Sequence, residues 1–265
     1  MSSPATAAGT SFGRTLRAEW IKFRSLRSMR YTLAGLFAAG FGLTMLLMGS
    51  AGQKYQEVMV EGDVWDPTSF TLQSYILAQL IIGVLGSLVV TSEYATGMMS
   101  TSLTATPRRN QLLSAKVMVV AAVAVTAGTA LMFAAFFFGQ AVLIAQDVPH
   151  AALGDPGVLA AVAGGGLYLA VIAVLAVGLG AIMRATAGAL VALVGIVYLV
   201  PGFAGAFPPW VQPLFDFWPT LGAAAILETV PNPDFPNPWL GFGGMCLGVA
   251  AVLAAAFVVF RRRDV

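Results

Sequence analysis

The sequence predicts an all-α integral membrane protein of six transmembrane helices with both termini cytoplasmic, and three observations predict it. Hydrophobic residues make up 58% of the 265 positions and charged residues 10%, against roughly 25% charged in a soluble domain. The mean hydropathy is +0.83, and the apolar residues gather into six runs, each long enough for a hydrocarbon core of roughly 30 Å. Threading those runs through a bilayer puts every Lys and Arg except Lys54 on one side. Arg14, Arg17, Lys22, Arg24, Arg27 and Arg30 precede the first run, and Arg108, Arg109 and Lys116 lie between the second and third. Arg184 separates the fourth from the fifth, and Arg261, Arg262 and Arg263 follow the sixth. Short loops rich in Lys and Arg stay cytoplasmic. The acidic residues Glu57, Glu61, Asp63, Asp66, Asp147, Asp155, Asp216, Glu228 and Asp234 all fall in the opposite loops.

Taken in order, residues 1–11 are small and polar and read as a disordered tail. Residues 12–30 read as an interfacial helix, because Phe12, Leu16, Trp20, Phe23 and Leu26 recur at spacings of four or three while Arg14, Arg17, Arg24 and Arg27 lie off that stripe. A basic flank without fixed shape is the other reading. The transmembrane domain, 31–265, carries spans at 31–49, 73–91, 117–145, 158–183, 188–207 and 239–260. The first run is too long for a signal-peptide core and is read as uncleaved. Spans four and five are joined by a few residues around Arg184, which makes them antiparallel neighbours. Gly164, Gly165, Gly166, Gly178 and Gly180 in the fourth either allow close helix approach or reflect the general frequency of glycine in membrane helices. Gln79, Thr126, Thr129 and Gln140 are read as helix–helix hydrogen-bonding groups.

Two segments do not fit a simple bundle. In the inner loop, 92–116, Thr91 or Ser92 can cap a short helix with Glu93 in its first turn and Gly97 at its end. Thr106 and Pro107 give a second start signal, with Arg108 and Arg109 at the positive end of the dipole, where cations are locally unfavourable. Lipid headgroups, topology or an acidic partner surface would favour them there. The outward stretch 208–238 has no Lys or Arg and eight prolines, with Trp210, Leu214, Phe215, Phe217 and Trp218 among them. It is too apolar for a solvated loop and too broken for a span, so short helices dipping into the outer leaflet are expected.

Several chemistries are excluded. One cysteine, Cys246, and one histidine, His150, cannot form a disulfide, a zinc site or a Cys–His nucleophile pair, and no catalytic, metal or cofactor site is expected. No charged residue lies near the middle of a span, so energy for any transport comes from elsewhere. No G-x-x-x-x-G-K-[ST] phosphate loop is present, and none of the three lysines follows a glycine. The chain is therefore not expected to be an enzyme. Met45 and Met48, or Met98 and Met99, could suggest metal export, but methionine more commonly fills apolar gaps.

A basic interfacial helix with Glu19 and Trp20, the Ser92-Glu93-Tyr94 stretch with Gly97, and Pro107-Arg108-Arg109 with Leu112 and Lys116 precede the third span. Together with a Pro- and aromatic-rich hairpin before the last span, they resemble the permease subunit of bacterial ABC-2 type transporters. Members often carry Thr after that glycine, where this chain has Met98. The resemblance implies a plasma-membrane exporter of a lipophilic drug, antibiotic, lipid or ion. It implies two copies of a separate ATPase subunit, which bind ATP and Mg, and a second permease, identical or homologous; no nucleic acid is involved. It implies that Ser92, Glu93, Tyr94, Gly97, Arg108 and Arg109 couple to the ATPase, with Glu93 and Tyr94 making an essential contact. By the same resemblance Glu19, Trp20, Phe23 and Arg24 belong to a connecting helix, and Trp210, Phe217, Trp218 and Pro219 to an outer gate. The alternative is a non-transporting interaction or signalling protein on the same fold; a membrane-embedded enzyme lacks converging catalytic groups.

Overall fold

The computed structural model describes residues 11–106 and 108–262. Among them every regular element is helical. Helix α1 runs Phe12–Ser25 and α2 Arg27–Met48, with Leu26 extended between them (φ −75°, ψ 122°). The interfacial helix thus ends earlier than the expected 30, and Arg27 and Arg30 open the first long helix. Helix α3 (Ala51–Glu61) and α4 (Pro67–Leu72) follow, then α5 (Tyr75–Ala95), α6 (Met98–Ala105), α7 (Arg109–Ala145), α8 (Val158–Met183), α9 (Thr186–Gly202) and α10 (Pro238–Arg262).

Five helical stretches are long and apolar enough to cross a membrane: Arg27–Met48, Pro67–Ala95, Arg109–Ala145, Val158–Met183 and Pro238–Arg262. The run expected at 188–207 is instead the shorter α9, about 26 Å at 1.5 Å per residue. Pro201 is the reason. It has no N–H to give to the preceding turn, and the chain widens into a π-turn over Gly195–Leu199 just before it.

Helix α8 is the axis of the bundle and packs against α5, α7, α9 and α10. Its glycines are contact points: a Cβ on Gly166 would lie 2.7 Å from Thr129 Cα of α7, and one on Gly180 would lie 3.2 Å from Ser87 O of α5. From the other side, a Cβ on Gly86 of α5 would collide with the carbonyl oxygen of Ala173. Small residues therefore let these backbones touch, which is how helices gain packing where lipid offers no hydrophobic drive. The core runs through this contact from Leu36 and Met29 to Val249 and Phe260.

Between α9 and α10 the chain forms three 3₁₀ turns, at Ala204–Ala206, Gln212–Phe217 and Gly222–Leu227. The third is buried throughout and packs on α8 and α10. Gly222 and Gly241 have room only for hydrogen, since a Cβ on either would run into Asp216 O.

Candidate functional site

At the end of the bundle where α1 lies, four charges meet. Helix α1 presents Glu19 on the turn below Phe23, both buried, while Trp20 stacks on Phe23 with centroids 6.1 Å apart and stays exposed. Helix α5 brings Glu93 from its last turn, and α7 brings Lys116 from about two turns after its start. Lys116 is 1% exposed. Its Nζ donates to Glu19 Oε2 at 2.7 Å, Glu93 Oε1 at 2.6 Å and Val89 O at 3.2 Å. Lys22 Nζ donates to Glu19 Oε1 at 2.7 Å, Glu93 Oε1 at 3.0 Å and Ser102 Oγ of α6 at 2.9 Å. Each ammonium uses all three of its protons. The cluster has two positive and two negative charges, the condition under which ions tolerate burial.

Burial works against the Lys22 ammonium, but the hydrogen bonds and charges of Glu19 and Glu93 outweigh it and hold its pKa above the usual 10.5. One Glu93 oxygen, Oε2, is buried without a partner. Beside the cluster, Tyr94 lies under the Arg184 guanidinium, 5.1 Å from its carbon to the ring centroid. Thr91 and Thr186 share a 2.8 Å hydroxyl contact that ties α5 to α9.

This geometry revises the expected local structure. No helix begins at Thr91 or Ser92: α5 continues through them to Ala95, and Ser92 Oγ donates back to Leu88 O at 2.6 Å. The short helix of the loop is α6, which starts after Gly97, a left-handed residue (φ 71°) that ends α5. Glu93 faces inward on lysines of its own chain, and Tyr94 is half-buried. In the first half of the loop the exposed residues are Ala95, Thr96, Gly97, Met98, Ser100 and Thr101. Helix α7 starts at Arg109 with Arg108 as its cap, two residues after the start expected from a Thr106 cap; Pro107 lies outside the described residues, as do Arg263 and the tail at 1–10. Arg108 is exposed, and Arg109 Nη1 donates to Phe260 O and Arg261 O, both at 3.3 Å, at the carboxyl end of α10. Arg24 is exposed on α1.

The sequence reading missed Lys22 and Ser102 as parts of the site, and took Lys116 as a residue of the basic flank. The available signal was that Lys116 lies inside a helical pattern continuous with an apolar span, where a charge faces the bundle and finds a partner.

The opposite end is held differently. Asp66 caps α4 through Thr68 N and Ser69 N, both 2.9 Å from Oδ1. The same carboxylate accepts from Thr229 N at 2.6 Å, Thr229 Oγ1 at 2.8 Å and Val230 N at 3.0 Å, which anchors the proline-rich stretch between its two groups of prolines. Deeper in, Trp218 Nε1 donates to Ile196 O at 2.6 Å and Thr220 Oγ1 to Val197 O at 2.8 Å. Those carbonyls lie four and five residues before Pro201, where its missing N–H leaves acceptors open. Tyr168 OH accepts from Thr220 N at 2.9 Å and donates to Gln79 Oε1 at 2.8 Å.

Phe217, Trp218 and Pro219 line an apolar cavity of about 290 Å³ together with Leu175, Gly244 and Val249. Trp210 does not join them and is 80% exposed.

No curated protein matches the chain. The family described as ABC-2 family transporter protein matches residues 15–202, which takes in all four charges of the buried cluster, α8 and α9. A match over well more than half the length, on a bundle of apolar helices with a charge-neutral joint at one end, places the chain in the ABC-2 transporter family as a membrane permease.

Proposed function

We propose that the chain is the membrane-spanning half of an ATP-driven exporter in a bacterial plasma membrane, moved by a separate ATPase subunit. In this reading two ATPases pair with two permeases, α9 completes a sixth crossing, and the basic end faces the cytoplasm as short Lys- and Arg-rich loops do. The observation that carries the reading is the buried cluster of Glu19, Lys22, Glu93 and Lys116. It joins α1, α5, α6 and α7 into one stiff unit directly behind the exposed 95–98 turn.

A push on that turn is then carried to the long helices without rearranging buried charge, since separating any pair would strand an ion in low dielectric. Glu93 acts in this scheme as an internal strut, and the ATPase contact falls to Thr96, Gly97, Met98 and Thr101. The apolar cavity under Phe217 and Trp218 suits a lipophilic substrate, because few polar groups there would need a partner.

The test is to purify the full chain gently from its membranes and identify what accompanies it. A stoichiometric subunit with a phosphate-loop ATPase sequence is expected, and Met98→Asp together with Thr101→Arg should remove it while leaving the melting temperature unchanged. Retention of the ATPase by that variant would refute the assigned contact. Absence of any ATPase under conditions that preserve other ABC complexes would instead favour a non-transporting membrane protein.

A further inference from the structure

The π-turn of α9 and the proline-rich stretch meet at two carbonyls, Ile196 O and Val197 O. In an α-helix each N–H bonds to the carbonyl four residues back, and in a π-turn to the one five back. Val200 N–H bonds to Gly195 O, the five-residue step, so the turn is wide there. The next residue is Pro201, which has no N–H. An α register would call on it for Val197 O, and a π register for Ile196 O. Both carbonyls take donors from outside the helix instead: Trp218 Nε1 bonds to Ile196 O at 2.6 Å and Thr220 Oγ1 to Val197 O at 2.8 Å.

The two donors are not equivalent. If the turn rewound to the α register, Val200 N–H would pass from Gly195 O to Ile196 O, and Leu199 N–H would take up Gly195 O. Ile196 O would then need no indole. Val197 O would gain nothing, because Pro201 stands where its donor should be. Trp218 is therefore replaceable from within the helix, and Thr220 is not. Thr220 is also left-handed (φ 70°), which is uncommon for a β-branched residue, and its N–H is held by Tyr168 OH at 2.9 Å. Tyr198, inside the π-turn, is tied to α5: it donates to Ile76 O and accepts from Gln79 Nε2 at 3.0 Å.

We propose that α9 has two helical registers and that the Trp218 indole selects the wide one, which makes the turn a switch between the helix and the proline-rich stretch. Rewinding would rotate the chain after Leu199 by about 100° against the chain before it, one residue's share of a 3.6-residue turn. Phe203, exposed just beyond the turn, would swing with it. The indole is also a wall of the apolar cavity, so a change in that wall is carried to α9. The switch belongs to the chain alone and its test involves no ATPase, so its failure would leave the exporter assignment standing.

The experiment uses the full chain in lipid nanodiscs, with Cys246→Ser to remove the one native thiol. Spin labels are placed at Phe203→Cys and, in separate samples, at Ile144→Cys on α7 or Trp239→Cys on α10, all exposed positions. In Trp218→Phe, which keeps a ring against the cavity, the label at 203 should move by about 8 Å against at least one reference, the chord of that rotation on a helix about 10 Å across. A label at Val191→Cys, exposed before the turn, should stay in place. Amide exchange over 196–203 should rise less than about twofold in Trp218→Phe and about fivefold in Thr220→Val, the share of one net hydrogen bond. Thr220→Ser keeps the hydroxyl and should match the wild type. Pro201→Ala supplies the missing N–H, so Thr220→Val should lose its effect in that background. An unmoved label at 203 in Trp218→Phe would show a single register and overturn the proposal. So would a Thr220→Val effect that persists undiminished beside Pro201→Ala.

Discussion

The two ends of the bundle solve the same problem, holding polar groups inside an apolar protein, with different chemistry. At the basic end four full charges cancel one another among α1, α5 and α7. At the acidic end one carboxylate, Asp66, accepts hydrogen bonds from α4 and the far loop, and neutral groups such as Gln79, Tyr168 and Thr220 do the rest. A closed charge cluster resists separation but carries little direction, so it suits a joint that moves as a block. Directional bonds to backbone groups fix a shape, which suits a segment whose prolines leave many carbonyls and N–H groups to be satisfied.

The sharpest way to break this contrast is Lys116→Met, which strands two carboxylates beside a single half-buried lysine. It should cost about 3–5 kcal/mol, the range for removing one partner of a buried pair. Unfolding in detergent checks it, and adding Glu93→Gln should restore part of the loss. If Lys116→Met alone leaves stability unchanged, the cluster is not a strut.

At the other end, Asp66→Ala removes a helix cap and the anchor of Thr229 and Val230 together. The expected loss is about 2–3 kcal/mol, with faster amide exchange near residue 229 and no change around Glu93. A smaller effect, about 1–3 kcal/mol for overpacking, is expected from Gly166→Ala, whose new methyl would meet Thr129. Gly178→Ala is the control, because there a Cβ would meet the Val252 side chain no closer than 3.2 Å and backbone, Leu253 N, only at 3.8 Å. Comparable losses from both would mean that the α7–α8 contact is less tight than the geometry states.

The smallest effect separates the ends by pH. The Lys22 pKa is raised, so its contribution is complete below the unfolded value of 10.5 and is lost as pH climbs through the higher folded value. The Glu228 carboxyl is also pushed up, first by burial and then by the nearby Asp66 charge, against a hydrogen bond from Asn232. Its contribution is complete below the unfolded 4.5 and is lost as pH rises through its folded value. Amide exchange should therefore loosen near residue 228 on going from acid to neutral pH, and near residue 22 only in strong alkali. Glu228→Gln should flatten the first response and leave the second intact.

Membrane class and helical architecture were legible in the residues alone, because hydropathy and the sorting of Lys and Arg act through the bilayer and need no partner within the chain. The family resemblance was legible too, carried by short motifs at Glu93 and Arg108. What those motifs touch was decided by the tertiary structure. Glu93 reads as a first-turn residue of an exposed helix when only its neighbours in sequence are considered. It becomes buried because α5 does not stop at Ser92 and because Lys116 and Lys22, distant in sequence, converge on it. Helix α3 carries Ala51 as its only buried residue, and so gave no strong periodic signal. The shortening of α9 follows from Pro201, yet whether proline kinks or ends a span depends on who supplies the missing donor. Here Trp218 and Thr220 supply it from beyond the helix, and local sequence holds no record of that long-range meeting.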